Sequence, residues 1–149
     1  MIAIGCDHGG FGLKKEIIAH LTRKGLPFTD VGTDSSESAD YPDFAAKAAR
    51  EVLSGRCEKA ILICGTGIGI SIAANKISGI RCALCCDPYM ARMSREHNDA
   101  NVLALGGRVT GPGLALEIVD VWLFTEFTGE EKHSRRLNKI CSLERSGNC

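Results

Sequence analysis

Cys64 stands at the head of the run of residues best suited to chemistry. It follows an apolar stretch over residues 60–63 and opens a loop with glycines at 65, 67 and 69. Beyond the loop Ile72, Ala73 and Ala74 resume an apolar pattern of good helix formers. A strand that ends in a thiol and turns through alternating glycines into a helix offers negative charge both backbone N–H groups and a positive helix end. The same field favours a thiolate at Cys64. One stretch can therefore supply a base or nucleophile and a cradle for an oxyanion.

Four other groups of residues carry chemistry. Asp7 and His8 follow the first apolar run and precede Gly9 and Gly10; a capping or loop histidine is the competing reading of His8. His97 lies in a polar knot, His97-Asn98-Asp99-Ala100-Asn101, where a lone histidine can also be a helix C-terminal cap. Arg108 follows Gly106 and Gly107, which would let a ligand approach closely, although a surface ion pair is the alternative. Lys132 and Arg136 share a helix face, as do Arg135 and Lys139, and a solvated basic face is the plainer account of that run. A thiol, an imidazole, an anion cradle and several cations together suit proton transfer beside the carbonyl of a phosphorylated substrate, and no metal set is needed.

Rival readings of the glycine loop meet specific obstacles. A P-loop needs a Gly-Lys-Ser/Thr ending, which is absent. A phosphatase loop needs an arginine six residues after the cysteine, where Ile70 stands. A dinucleotide fingerprint needs its third glycine at 70, but it falls at Gly69. Asp87 sits where a ribose-binding acid would, yet Asp-Pro at a helix start has a capping explanation. A tight turn around a buried, inert cysteine remains open.

The elements that must position these groups alternate. Residues 2–6 read as a strand, and 11–24 as a helix with Leu13, Ile17, Ile18 and Leu21 on one face, stopped by Gly25. Residues 27–31 read as a weaker strand and 41–54 as a helix ended by Gly55. After the central strand and its helix come a strand over 81–86, a short helix over 89–96 and a strand over 102–105. A helix is marked by Leu114, Ile118, Val121 and Trp122. A last helix over about 130–145 should carry Leu137, Ile140 and Cys141 inward, with a frayed tail at 146–149. Strands alternating with helices predict a parallel five-stranded sheet covered on both faces, with ligands beyond the strands' carboxyl ends. That places Asp7, His8, Cys64, Asp87 and Arg108 on one rim.

The 149 residues suit one domain spanning 1–149. Basic and acidic residues balance at 18 each, so no overall field points to nucleic acid or a membrane. Met1 runs directly into a strand-like segment without a leader, and no apolar stretch approaches a membrane span. Of eight cysteines only Cys82 and Cys85 form a C-x-x-C, inside an apolar run, so reduced thiols in a cytoplasmic protein are the expectation.

The chain resembles the type B ribose-5-phosphate isomerases, a family that also includes allose-6-phosphate and galactose-6-phosphate isomerases. The resemblance spans residues 2–140 and rests on five motifs in order: GCDHGG at 5–10, SADYPD at 38–43, ICGTGIGISIAANK at 63–76, SREHNDANVLALGGR at 94–108, and a basic pair near 132–136. It implies a Rossmann-like three-layer α/β/α sandwich and no metal or organic cofactor. It also implies a phosphorylated pentose substrate and a homodimer, or a dimer of dimers, with active sites shared between subunits. By position, Cys64 would move a proton between C1 and C2. The backbone of Gly65, Gly67 and Gly69 would hold the enediolate, and Thr66 would handle a hydroxyl proton. His97 would open the furanose ring and Asn98 hold the sugar. Asp7 and Tyr41 would bind hydroxyls, and His8, Arg108, Lys132 and Arg136 the phosphate. Two departures stand out. Lys132 replaces the usual arginine and lacks its bidentate fork. Ile70 stands where a subgroup has a glutamate base, which leaves Cys64 as the base. Six-carbon sugar phosphates and a non-catalytic nucleotide-binding module are the alternatives.

Overall fold

The computed structural model describes residues 1–146. Its elements alternate as expected: β1 (Ile2–Cys6), α1 (Phe11–Arg23), β2 (Phe28–Asp30), α2 (Tyr41–Leu53), β3 (Lys59–Cys64), α3 (Ile68–Ala74), β4 (Cys82–Leu84), α4 (Pro88–Glu96), β5 (Val102–Gly106), α5 (Pro112–Phe124) and α6 (Glu131–Ser146). The strands form one parallel sheet in the order β2-β1-β3-β5-β4. The chain steps one way from β1 to β2 and the other way from β3 onward. The crevice between the carboxyl ends of β1 and β3 is therefore the switch point of the sheet, where such folds bind ligands.

Strand alternation sends Ile4, Ile61, Ile63, Leu103 and Leu105 to one face, under α1, α4 and α5, where Trp122 and Ile118 are fully buried. Each such side chain contributes about 1.5–3 kcal/mol on leaving water. The other face is smaller in volume: Ala3, Ala60 and Ala104 meet Ala45, Ala48 and Ala49 of α2 and Ala74 of α3. Small residues let α2 come close, and a Cβ on Gly5 would lie 3.1 Å from the carbonyl of Phe44. Together the two faces make the three-layer α/β/α sandwich.

Several details differ from the sequence reading. β4 is three residues long and half-buried, because it is an edge strand whose outer side lacks a neighbour. Cys64 lies inside β3 as its last residue. Asp87 is a cap, its Oδ1 accepting from the Met90 N–H at 2.8 Å. α6 does not carry Ile140 inward: that residue is 39 % exposed, and among the described residues of the helix the buried one is His133. α6 follows α5, and its first turn stacks His133 on His97. Its far end meets the loop before β4, where Glu144 Oε2 accepts from Ser78 Oγ at 3.1 Å and from the Gly79 N–H at 3.2 Å, so the helix skirts the sheet's edge and not the core. The tail expected to fray beyond Ser146 lies outside the described residues.

Candidate functional site

Three loops meet at the carboxyl ends of β1, β3 and β5, backbone against backbone. The Gly107 N–H donates to the carbonyl of Cys64 at 2.8 Å, and the Arg108 N–H to that of Gly65 at 3.0 Å. A Cβ on Gly106 would lie 2.7 Å from the Thr66 carbonyl oxygen, and one on Gly107 would lie 2.6 Å from that of Gly9. The glycines before Arg108 thus serve loop-on-loop packing.

Cys64 is buried at the centre of this junction, paired in register with Gly106. Its Sγ accepts the Gly67 N–H at 3.1 Å, a bond that strengthens as the sulfur gains negative charge. Gly67 has φ +79°, and a Cβ there would lie 2.5 Å from Leu84 Cδ1, so both the backbone and the space demand glycine. Thr66 Oγ1 accepts from the Ile68 N–H at 3.3 Å and remains exposed. The hydroxyl end of the Tyr41 ring lies against Gly69, its Cζ 2.7 Å from where a Cβ would be, and walls the loop from the α2 side.

Asp7 is buried, its Oδ1 accepting from the Gly10 N–H at 3.1 Å, which fixes the turn that presents His8. The Ala39 N–H donates to His8 Nδ1 at 3.1 Å. An N–H can only donate, so Nδ1 is the acceptor and the ring proton sits on Nε2; the Ala39 carbonyl, 3.3 Å from the same nitrogen, is then a close contact and not a bond. His8 thereby offers a donor to an anion. Arg108 is exposed, with Nη1 3.5 Å from where a Cβ on Gly65 would be. Asp7, His8, Tyr41, Cys64, Gly65, Thr66, Gly67, Gly69 and Arg108 form one continuous rim.

His97, Asn98, Lys132 and Arg136 are elsewhere. α4 starts at the rim with its cap Asp87 and runs back, so His97 lies near the amino end of β5, where Asn101 precedes the strand. The five residues of β5, at about 3.3 Å each, put roughly 15 Å between that edge and the rim. The knot after α4 is held by two arginines on Asp99, which has φ 43°. Arg81 Nη2 reaches Oδ2 at 2.8 Å, and Arg95 Nη1 reaches Oδ1 at 2.9 Å. Arg81 Nε also donates to the Asn98 carbonyl at 3.0 Å. Lys132 pairs with Glu130 at 2.8 Å, both side chains being about half exposed, and Arg136 is exposed.

Sequence reasoning missed three residues of this second cluster, Arg81 among them. Arg95 is buried and donates to the Ala100 carbonyl at 2.7 Å as well as to Asp99. The signal available was its (i, i+4) spacing to Asp99. His133, inside the run read as a solvated basic face, is 3 % exposed and stacks on His97 with ring centroids 4.1 Å apart and planes 13° from parallel. Burial lowers its pKa, and the neighbouring His97, Lys132 and Arg136 add to that, against Glu130.

Cys6, Cys82 and Cys85 are packing groups. Burial pushes Cys82 up to about 12 and Cys85 up to about 11, so the C-x-x-C pair stays protonated, and Cys6 is pushed to about 11 in the same way. Among the described residues no group of three or more His, Cys, Asp or Glu is placed to hold a metal ion, and no helix is long and apolar enough to cross a membrane.

Residues 2–140 match the family model described as Ribose/Galactose Isomerase. The chain is 52 % identical to ribose-5-phosphate isomerase B of Escherichia coli K12, over 99 % of this chain and 98 % of that one. It is 48 % identical to the D-erythrulose-4-phosphate isomerase of Pectobacterium atrosepticum, over 86 % and 85 %. The solved structure of ribose-5-phosphate isomerase B from Clostridium thermocellum superposes with a TM-score of 0.94 at 58 % identity, covering 97 % of both chains.

Proposed function

This chain belongs to the ribose/galactose isomerase family and is a sugar-phosphate isomerase, and from that premise we propose that it interconverts D-ribose 5-phosphate and D-ribulose 5-phosphate. Cys64 is the base. Its thiolate takes the C2 proton of the open-chain aldose and returns it to C1, and the electron pair moves onto the carbonyl oxygen as an enediolate. The observation that carries this reading is the Gly67 N–H on Cys64 Sγ at 3.1 Å, at the switch point of the sheet and inside a rim of polar groups.

Around the base, Thr66 relays a hydroxyl proton, the backbone at Gly65 and Gly69 faces the developing oxyanion, and Asp7 and Tyr41 hold hydroxyls. His8 and Arg108 meet the phosphate. His97 donates the proton that opens the furanose ring, with Asn98 on the sugar, and Lys132 and Arg136 complete the phosphate grip. No metal enters these steps.

One chain cannot bring His97 and Cys64 to the same sugar across roughly 15 Å of strand. The site is therefore completed by a second copy, whose His97 cluster docks on the rim of the first. Exposed apolar side chains beside the rim support this: Ile68 and Ile72, one turn apart on α3, and Tyr89 at the start of α4 are each more than half exposed in the single chain. Such a contact is isologous, so a two-fold dimer has two complete sites.

The test is a side-by-side assay of four-, five- and six-carbon aldose phosphates, with proton exchange at C1 of ribulose 5-phosphate as a second readout. Ribose 5-phosphate should be the preferred substrate. His97→Asn should abolish turnover of the cyclic aldose while sparing the exchange, which needs the base but not the ring opener. Exchange lost as fully in His97→Asn as in Cys64→Ala would assign the wrong role to His97.

A further inference from the structure

We propose that His133 is a positioning residue whose buried imidazole is the platform that fixes the plane of the His97 ring for opening the sugar. The inference rests on the role given to His97 above and concerns a residue outside that reading. The two rings lie nearly parallel at 4.1 Å, one at the C-cap of α4 and the other in α6. A stack holds a ring by its face. Both nitrogens of an imidazole lie on its edge, so this support leaves them open to a ring oxygen, whereas a hydrogen bond would occupy one of them.

His133 has no other evident use for its polarity. It is 3 % exposed, and its Nε2 is buried without a hydrogen-bond partner. A leucine or phenylalanine would fill the space without leaving a polar atom dry. Burial, with help from His97, Lys132 and Arg136, lowers its pKa, which disfavours charge on the buried ring. A neutral ring face attracts a cation, where a second imidazolium would repel it. The same stack ties His97 to the helix of Lys132 and Arg136. The ring opener and the proposed phosphate ligands thus move as one unit when that helix docks.

Two variants separate platform from filler. His133→Phe keeps an aromatic face, and His133→Leu keeps the bulk without one. Thermal unfolding establishes that both fold. His97 ring-proton shifts in the NMR spectrum then report the stack, since a neighbouring ring shifts them upfield. Turnover of cyclic ribose 5-phosphate is compared with C1 exchange of ribulose 5-phosphate. The shifts should persist in His133→Phe and be lost in His133→Leu. Turnover should fall about ten- to a hundredfold in His133→Leu, the scale of a misplaced catalytic group, and stay within about threefold of wild type in His133→Phe, with exchange little changed in both. Equal turnover in the two variants, or exchange falling in step with turnover, would overturn the proposal. Failure of the parent reading looks different: the unaltered protein would then turn over no ribose 5-phosphate, while its His97 shifts still reported the stack.

Discussion

The rim at the carboxyl ends of β1, β3 and β5 is backbone packed on backbone, whereas the cluster at the amino end of β5 is side chain clamped by side chain. At the rim, Gly67, Gly106 and Gly107 allow loops to approach where any Cβ would collide with a neighbour. Cys64 is held there by its strand register with Gly106 and by the Gly67 N–H on its Sγ. At the other edge, Arg81 and Arg95 converge on Asp99, and His97 rests on His133, while Lys132 and Arg136 remain exposed. The rim is held by contacts within the single chain. The other edge presents charge and an imidazole to something outside it. That division suits the proposed site assembled from two copies: a cradle built from one chain, and exposed cations supplied by the other.

Breaking the cradle should have the largest effect. Cys64→Ala removes the proposed base and should lower kcat by about 10²- to 10⁴-fold, the usual contribution of general acid–base catalysis. Ribose 5-phosphate binding, followed by calorimetry, should survive. Near-wild-type turnover would return Cys64 to the buried, inert cysteine that remained open from the sequence. Next comes the phosphate grip: Arg136→Ala should reduce kcat/KM by about ten- to a hundredfold, the worth of one charge-assisted bond at about 1.5–3 kcal/mol. The loss should disappear for a sugar lacking phosphate. A solvated basic face would instead show no loss with either sugar.

Stability sharpens the same contrast. Gly67→Ala combines a left-handed backbone with a Cβ 2.5 Å from Leu84 Cδ1 and should cost about 2–4 kcal/mol in denaturant unfolding. Gly129→Ala, at φ +68° with nothing within 4 Å, should cost only about 1–2 kcal/mol for the backbone alone. Equal costs would mean that the rim is less tightly packed than its distances say. The smallest expected effect is Lys132→Arg. It should leave kcat/KM within about threefold of wild type or raise it, since a guanidinium forms a two-pronged bond to phosphate that an ammonium cannot. The present Glu130 pair would compete for either cation.

What could be read in advance divides along the same line. Cys64 with glycines at 65, 67 and 69 was legible because close backbone approach demands glycine at fixed positions, and such spacing survives in one dimension. Asp87 read correctly as a cap because Asp-Pro carries its own local explanation. Gly106 and Gly107 were visible, but their reason was not: they accommodate Gly9 and Thr66, far away in the chain. The length of β4 depends on its being an edge, which only the sheet order reveals. His133 was hidden in a charged run, KHSRR, where the helix period does not announce one buried polar ring. Ile140 misled for the opposite reason, since an apolar residue in helical register points at a core only if the helix lies on one.

The account's central claim is that one catalytic unit takes Cys64 from one copy and His97 from the other. The direct measurement is complementation. Cys64→Ala and His97→Asn chains, each inactive on ribose 5-phosphate, are unfolded, mixed in equal amounts and refolded together. Half of the resulting two-fold dimers should be mixed, and each mixed dimer should have one doubly altered site and one intact site, restoring roughly a quarter of wild-type turnover. No recovery, with mixed dimers demonstrated by mass, would place both residues in the same chain's site and contradict the account.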